Sequence, residues 1–327
     1  MRETSLSWQK ILAQGFTSAS DLLDFLELPI INGSLLAEKQ FPSRIPLGFA
    51  KRMQKGNPND PLLLQVLAAS NELKDKDGYN VDPLIELNTI PIKGLIHKYH
   101  GRVLLTLTGV CAVNCRYCFR RHFPYQGNNP GRRGWKEICN YIANDISITE
   151  VILSGGDPLL ASDVMLADLL QQLECIPHLH TLRIHTRIPV VLPERIDQGL
   201  IALLATTRFK KVVVLHCNHP QELDEDVRKA CDDLQKVGCC LLNQSVLLKG
   251  INDDATTLAV LSQSLFAYGV MPYYLHVLDK VKGAAHFDLP FTTVQALYKQ
   301  LQIRLPGYLL PRLAREEPGK SSKTLLI

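Results

Sequence analysis

The chain has 327 residues, 46% of them hydrophobic and 21% charged, so it can bury a large core and is not a disordered segment. The net charge of +4 is mild and no basic stripe runs along the chain, which argues against direct nucleic-acid binding. The opening MRETSLSWQKILAQ lacks an apolar h-region and no run reaches ~18 apolar residues, so neither a secretory signal nor a membrane span is expected, and a cytoplasmic location is.

Residues 1–95 read as a helical N-terminal region, with SASDLLDFLELP and DPLLLQVLAASNEL as amphipathic helices joined by turn-rich pieces such as KGNPNDP. From about residue 103 the pattern changes. Apolar, β-branched runs recur at VLLTLT (103–108), EVILSGG (150–156), TLRIHTR (181–187), KKVVVLHC (210–217), CCLLNQSVLL (239–248) and MPYYLHVLD (271–279). Between them lie helical periodicities: WKEICNYIAND, SDVMLADLLQQLECI, PERIDQGLIALLAT, DEDVRKACDDLQKVG and TTLAVLSQSLFAYG. Pro193 and the acidic run Asp224, Glu225, Asp226 stand at helix starts, Gly238 and Gly269 at helix ends. Six strands alternating with helices predict an α/β fold with parallel strands and right-handed crossovers. Six units fall short of a complete eightfold barrel, so the expectation is a partial (βα)6 barrel over 96–300, followed by a C-terminal tail over 301–327 in which the stretch 313–327 is loop-like.

Polar residues recur at the C-terminal ends of the strands: Cys111, Gly155-Gly156-Asp157, Thr186-Arg187, Asn218-His219, Gln244 and Asp279. In parallel α/β folds that edge binds ligands. The densest basic cluster, Arg120, Arg121, Arg132 and Arg133, lies beside the cysteines and suggests a small anionic ligand. Nine cysteines, an odd count, argue for reduced thiols over a disulfide scaffold. Three of them, Cys111, Cys115 and Cys118, have the spacing C-x3-C-x2-C. Three thiolates on a four-iron cluster leave one iron open, as a catalytic metal site needs. The competing readings are zinc with a remote fourth ligand such as His122, or three packed core cysteines. Core packing is the expectation for the other six.

The C-x3-C-x2-C loop after the first strand, together with "LSGGDP" (153–158) one unit later, resembles the radical S-adenosylmethionine (radical SAM) superfamily. The stretches "CAVNCRYCFRRHF", "SGGDPL", "LRIHTRIPVVLPERI", "NHPQE", "NQSVLLKGIND" and "MPYYLHVLDKVKGAAHF" resemble, more narrowly, the lysine 2,3-aminomutases. Within them the likeness is to the short bacterial branch that makes (R)-β-lysine for elongation factor P. The resemblance implies a [4Fe–4S] cluster on Cys111, Cys115 and Cys118 and S-adenosylmethionine on the open iron, with Gly155, Gly156, Asp157 and Gln244 at that cofactor. It implies pyridoxal 5′-phosphate (PLP) on a C-terminal lysine. Lys320 and Lys323 are the candidates, and spacing from the other motifs favours Lys323. This loop lacks the run of glycines of the long enzymes.

Lys98, Tyr99 and Arg102 match positions that hold PLP, and lysine and arginine suit phosphate oxygens. Arg120 matches the partner of the substrate carboxylate, and Asp279 and Glu316 the acids that receive the side-chain ammonium. Glu316 stands where the long enzymes have Asp. L-lysine is the implied substrate, a flavodoxin-type protein the electron donor, and an elongation factor P lysylation enzyme the downstream partner. The rival is a radical SAM enzyme without PLP acting on another substrate such as RNA.

Overall fold

The computed structural model describes residues 6–326. One nine-stranded sheet runs in chain order: β1 (Leu95–Tyr99), β2 (Arg102–Thr108), β3 (Glu150–Gly155), β4 (Thr181–Thr186), β5 (Lys210–His216), β6 (Cys239–Leu247), β7 (Met271–Val277), β8 (Arg312–Arg315) and β9 (Thr324–Leu325). Strands β2 to β8 pair in parallel, and the antiparallel strands β1 and β9 cap the two edges. Helices Gly131–Asn144, Asp163–Glu174, Gln198–Thr206, Glu225–Lys236, Ala255–Ala267 and Phe291–Arg304 fill the crossovers, giving six strand–helix pairs.

The strands have two unlike faces because side chains alternate along them. On β4, Leu182 and Ile184 are buried in one cluster with Leu166, Leu169 and Leu173 of the neighbouring helix. Arg183 and His185, between them, face an inner cavity. That cavity is lined from all of β1 to β8, so the sheet curls into an open barrel with an apolar outside and a polar inside. Side-chain caps fix the helix starts: Ser162, Asp224 and Asp254 accept from the backbone N–H of Met165, Val227 and Thr257. Each such cap is worth about 1 kcal/mol.

Three expectations need correction. The stretch DPLLLQVLAASNEL is one helical turn, Pro61–Leu64, then a 3₁₀ turn, Ser70–Leu73. The Gln65 carbonyl accepts from Arg116 N at 2.9 Å, a bond that a continuing helix would have used internally. Pro193 opens a 3₁₀ turn, and the helix proper starts after Asp197, whose side chain caps Leu200 N. The tail is not loop-like: helix Phe291–Arg304 crosses the expected division at 300/301, and β8 and β9 follow. The N-terminal region packs onto the barrel. Leu22, Leu23, Leu62 and Leu63 share the main core with the barrel.

Candidate active site

The barrel encloses a cavity of about 780 Å³, within the range of small-molecule sites. The cysteine loop leaves β2 at its C-terminal end and closes over one side. Two backbone bonds clamp it to the loop after β3: Gly156 N donates to Thr108 O at 2.7 Å and Asp157 N to Val110 O at 2.8 Å. Gly155 has φ +117°, and a Cβ there would stand 2.5 Å from the Thr108 carbonyl. A Cβ on Gly156 would overlap the Val110 carbonyl. The absence of side chains on both glycines lets the cysteine loop approach closely. Asp157 lines the cavity, yet both its oxygens are taken: Oδ1 by Thr186 Oγ1 at 2.7 Å and Leu159 N at 3.1 Å, Oδ2 by Arg187 N at 2.8 Å. Burial pushes its carboxyl up to about 6. It ties the end of β3 to the end of β4.

Cys111, Cys115 and Cys118 are free, half-buried and line the cavity together. Burial, then the neighbouring Cys118, holds the Cys111 thiol well above its usual range; burial, then Cys115, pushes Cys118 up to about 11. A metal must therefore displace protons from these thiols. Among the described residues no three His, Cys, Asp or Glu side chains meet the spacing of a single-ion site. A four-iron cluster asks each thiolate for a different iron, and the three cysteines share one cavity lining. His122 lies outside the cavity lining, its Nε2 at 3.2 Å from Lys282 O, and supplies no fourth ligand. Arg187 Nη1 donates to Cys115 Sγ at 2.7 Å, while its Nη2 is held by Glu222 at 2.9 Å and Gln65 at 2.6 Å.

A ladder of alternating charge also lines the cavity. Arg120 grips Glu86 with Nε and Nη2 at 2.7 and 2.8 Å. Glu86 also takes Lys98 Nζ at 2.9 Å, which reaches Glu316 at 2.8 Å, and Lys323 Nζ meets the other Glu316 oxygen at 2.7 Å. Although burial opposes it, the Lys323 and Lys98 charges hold the Glu316 carboxyl well below its usual range. Asp279 also lines the cavity; burial, then the Glu316 charge, pushes its carboxyl up to about 7. Lys320 is exposed and outside the lining.

The expected phosphate-side trio splits. Lys98 is held by two carboxylates, whereas Arg102 only stacks on Tyr99, 4.8 Å from its ring centre. Neither Arg102 nor Arg312, also in the lining, has a carboxylate partner among the described residues, so both suit an anionic group. His185 Nε2 is buried without a partner, and burial keeps the ring neutral at ordinary pH. Gln244 faces the same space. Orphaned donors and acceptors of this kind mark a cavity shaped for a polar ligand.

The four-arginine cluster also divides. Arg132 and Arg133 are exposed on a helix, with Arg132 paired to Asp168. Arg121 turns to Glu72 at 2.8 Å and Arg116 grips the same carboxylate. Gln65, Glu72 and Glu86, none singled out by the sequence, thus reach from the N-terminal region to the cysteine loop or its supporting arginines. Their partners are remote in sequence, so no local spacing marks them.

The description "Radical SAM superfamily" belongs to a family model that matches residues 105–259. The L-lysine 2,3-aminomutase of Haemophilus influenzae (strain Rd) is 49% identical over 98% of this chain and 95% of its own length. That of Escherichia coli (strain K12) is 48% identical over 98% and 94%. A crystal structure described as a radical SAM methyltransferase from Sphaerobacter thermophilus aligns over 68% of each chain, with 15% identity and a TM-score of 0.42.

Proposed function

The chain belongs to the L-lysine 2,3-aminomutase family of the radical SAM superfamily, a family of isomerases, and from that premise we propose that it moves the α-amino group of L-lysine to the β-carbon with a [4Fe–4S] cluster, S-adenosylmethionine and PLP. The observation that carries this reading is that the three thiols, Arg120, Asp279 and Lys323 all open into one cavity. The bound cofactors supply the one-electron chemistry that no side chain here can.

The residues divide the remaining work. Cys111, Cys115 and Cys118 hold the cluster, with Gly155, Gly156 and Gln244 at the S-adenosylmethionine side. Asp157 serves that side by fixing the loop, since its own oxygens are used. Lys323 carries PLP, and Tyr99, Lys98 and Arg102, joined by Arg312, form the phosphate side. Arg120 receives the substrate carboxylate, and Asp279 and Glu316 its side-chain ammonium. The barrel wall keeps bulk water from the reacting atoms.

The product is (R)-β-lysine and its destination elongation factor P, a reading supported by the short-branch resemblance. A flavodoxin-type donor supplies the electron, and the setting is cytoplasmic. Mass spectrometry of elongation factor P from a deletion strain tests this: an unchanged mass removes the assignment. The chemistry is tested by anaerobic reconstitution. The protein should turn brown with about four irons and convert L-lysine in the presence of S-adenosylmethionine and dithionite. Alanine at any of the three cysteines should remove the iron. A colourless protein that takes one zinc and no iron overturns the reading, and a brown one without a pyridoxal band favours an enzyme that does not use PLP.

Asp279 sets a pH dependence. Its carboxyl titrates near 7, and only the carboxylate attracts the substrate ammonium. As pH rises from 6 to 8, kcat/KM for lysine should rise and then level. Asp279→Asn should flatten that limb and lower its plateau about tenfold or more. A limb that persists in the variant assigns the titration to another group.

A further inference from the structure

Glu86 opens a 3₁₀ turn, Glu86–Thr89, in the N-terminal region. The residue before it, Ile85, has φ +50°, a conformation that β-branched side chains rarely adopt. Asp82 pins the turn, its Oδ1 accepting from Glu86 N at 3.0 Å and its Oδ2 from Leu87 N at 3.3 Å. A strained turn held this firmly delivers a buried carboxylate to the cavity wall, where Glu86 is 3% exposed.

That carboxylate touches two subsites. Its Oε2 takes Arg120 Nε, and its Oε1 takes both Arg120 Nη2 and Lys98 Nζ. A guanidinium has five N–H donors. Glu86 uses two and Ser154 Oγ uses one on Nη1 at 3.1 Å. One N–H on each Nη remains, enough for a second carboxylate to dock on two bonds. Glu86 therefore does not block Arg120. It fixes the plane of the fork from behind and leaves donors free in front.

We propose that Glu86 is a positioning residue that joins the two subsites, fixing Arg120 for the substrate carboxylate and Lys98 for the cofactor's phosphate side. The proposal rests on the roles given to Arg120 and Lys98 above. A carboxylate that served only to neutralise buried charge would affect stability alone. A joint must affect the binding of both ligands.

The test compares E86Q, E86D, R120K and K98M in the reconstituted protein. E86Q should raise the KM for lysine and the dissociation constant for PLP, each about tenfold, with kcat at saturation within about threefold. R120K should raise chiefly the lysine KM and K98M chiefly the PLP constant. E86D keeps the charge but draws it back by one methylene, and should show both shifts at smaller size. It keeps the proposal testable if E86Q does not accumulate. A folded Glu86 variant in which either constant stays at the wild-type value overturns the joint role. An R120K protein with a wild-type lysine KM instead overturns the assignment of Arg120, a separate result.

Discussion

Lys323→Ala should abolish β-lysine formation, by at least about a hundredfold, while Lys320→Ala stays within about twofold of the parent. The difference follows from how the C-terminal hairpin is built. β9 pairs antiparallel with β8, setting Leu325 against Ala314 and Thr324 against Arg315. Continuing that register brings Lys323 against Glu316, and the 2.7 Å bond between them follows. Lys323 thus enters the cavity, 5.9 Å from the centre of the Tyr274 ring. Lys320 sits at the exposed tip, five residues past β8, and touches none of the lining. Only an amine inside the cavity can hold a cofactor over the substrate. Initial rates give the first readout. Borohydride reduction with PLP, followed by peptide mapping, gives the second. A pyridoxyl adduct on Lys320 would reverse the assignment.

The sequence makes the barrel legible because each of its units is written locally. A β-branched run, a capping Ser or Asp and a helical stripe follow one another within some thirty residues, as in EVILSGG, Ser162 and the helix Asp163–Glu174. β8 escapes because it is four residues long and buries only Leu313 and Ala314. It is a strand because the exposed edge of β7 needs a partner, which is a tertiary cause. The cysteine motif and the Gly-Gly-Asp turn are legible for the same local reason, although the glycines serve the clamp between the two loops.

The polar contacts behind the site are not legible. Glu86 lies 34 residues from Arg120, and Gln65 lies 157 residues from Glu222. Nothing near either residue marks the pairing. Arg121 misleads for the opposite reason. Its neighbours in sequence suggest a cluster facing an anion, yet the chain folds its guanidinium against Glu72 and Phe41.

Glu72→Ala should cause a large loss of stability, about 3–5 kcal/mol, out of a typical total of about 5–15 kcal/mol. The Glu72 carboxylate accepts Arg116 Nε and Nη2 at 2.8 and 2.7 Å and Arg121 Nη2 at 2.8 Å, and its Oε1 also accepts from Ala69 N at 2.9 Å. Arg116 is fully buried, so without the carboxylate its charge has only the Phe41 and Ala37 carbonyls for company. Two buried guanidiniums would share that deficit. By contrast the exposed pair Lys55–Glu27 should contribute no more than about 1 kcal/mol, so Glu27→Ala serves as the control. Arg116 lies between Cys115 and Cys118 and Arg121 follows Cys118 in the chain, so the same change should free the cysteine loop before the barrel melts. Denaturant unfolding measures the first effect and iron content after reconstitution the second. A Glu72→Ala protein that unfolds like the Glu27→Ala control would show that the N-terminal region does not hold the loop.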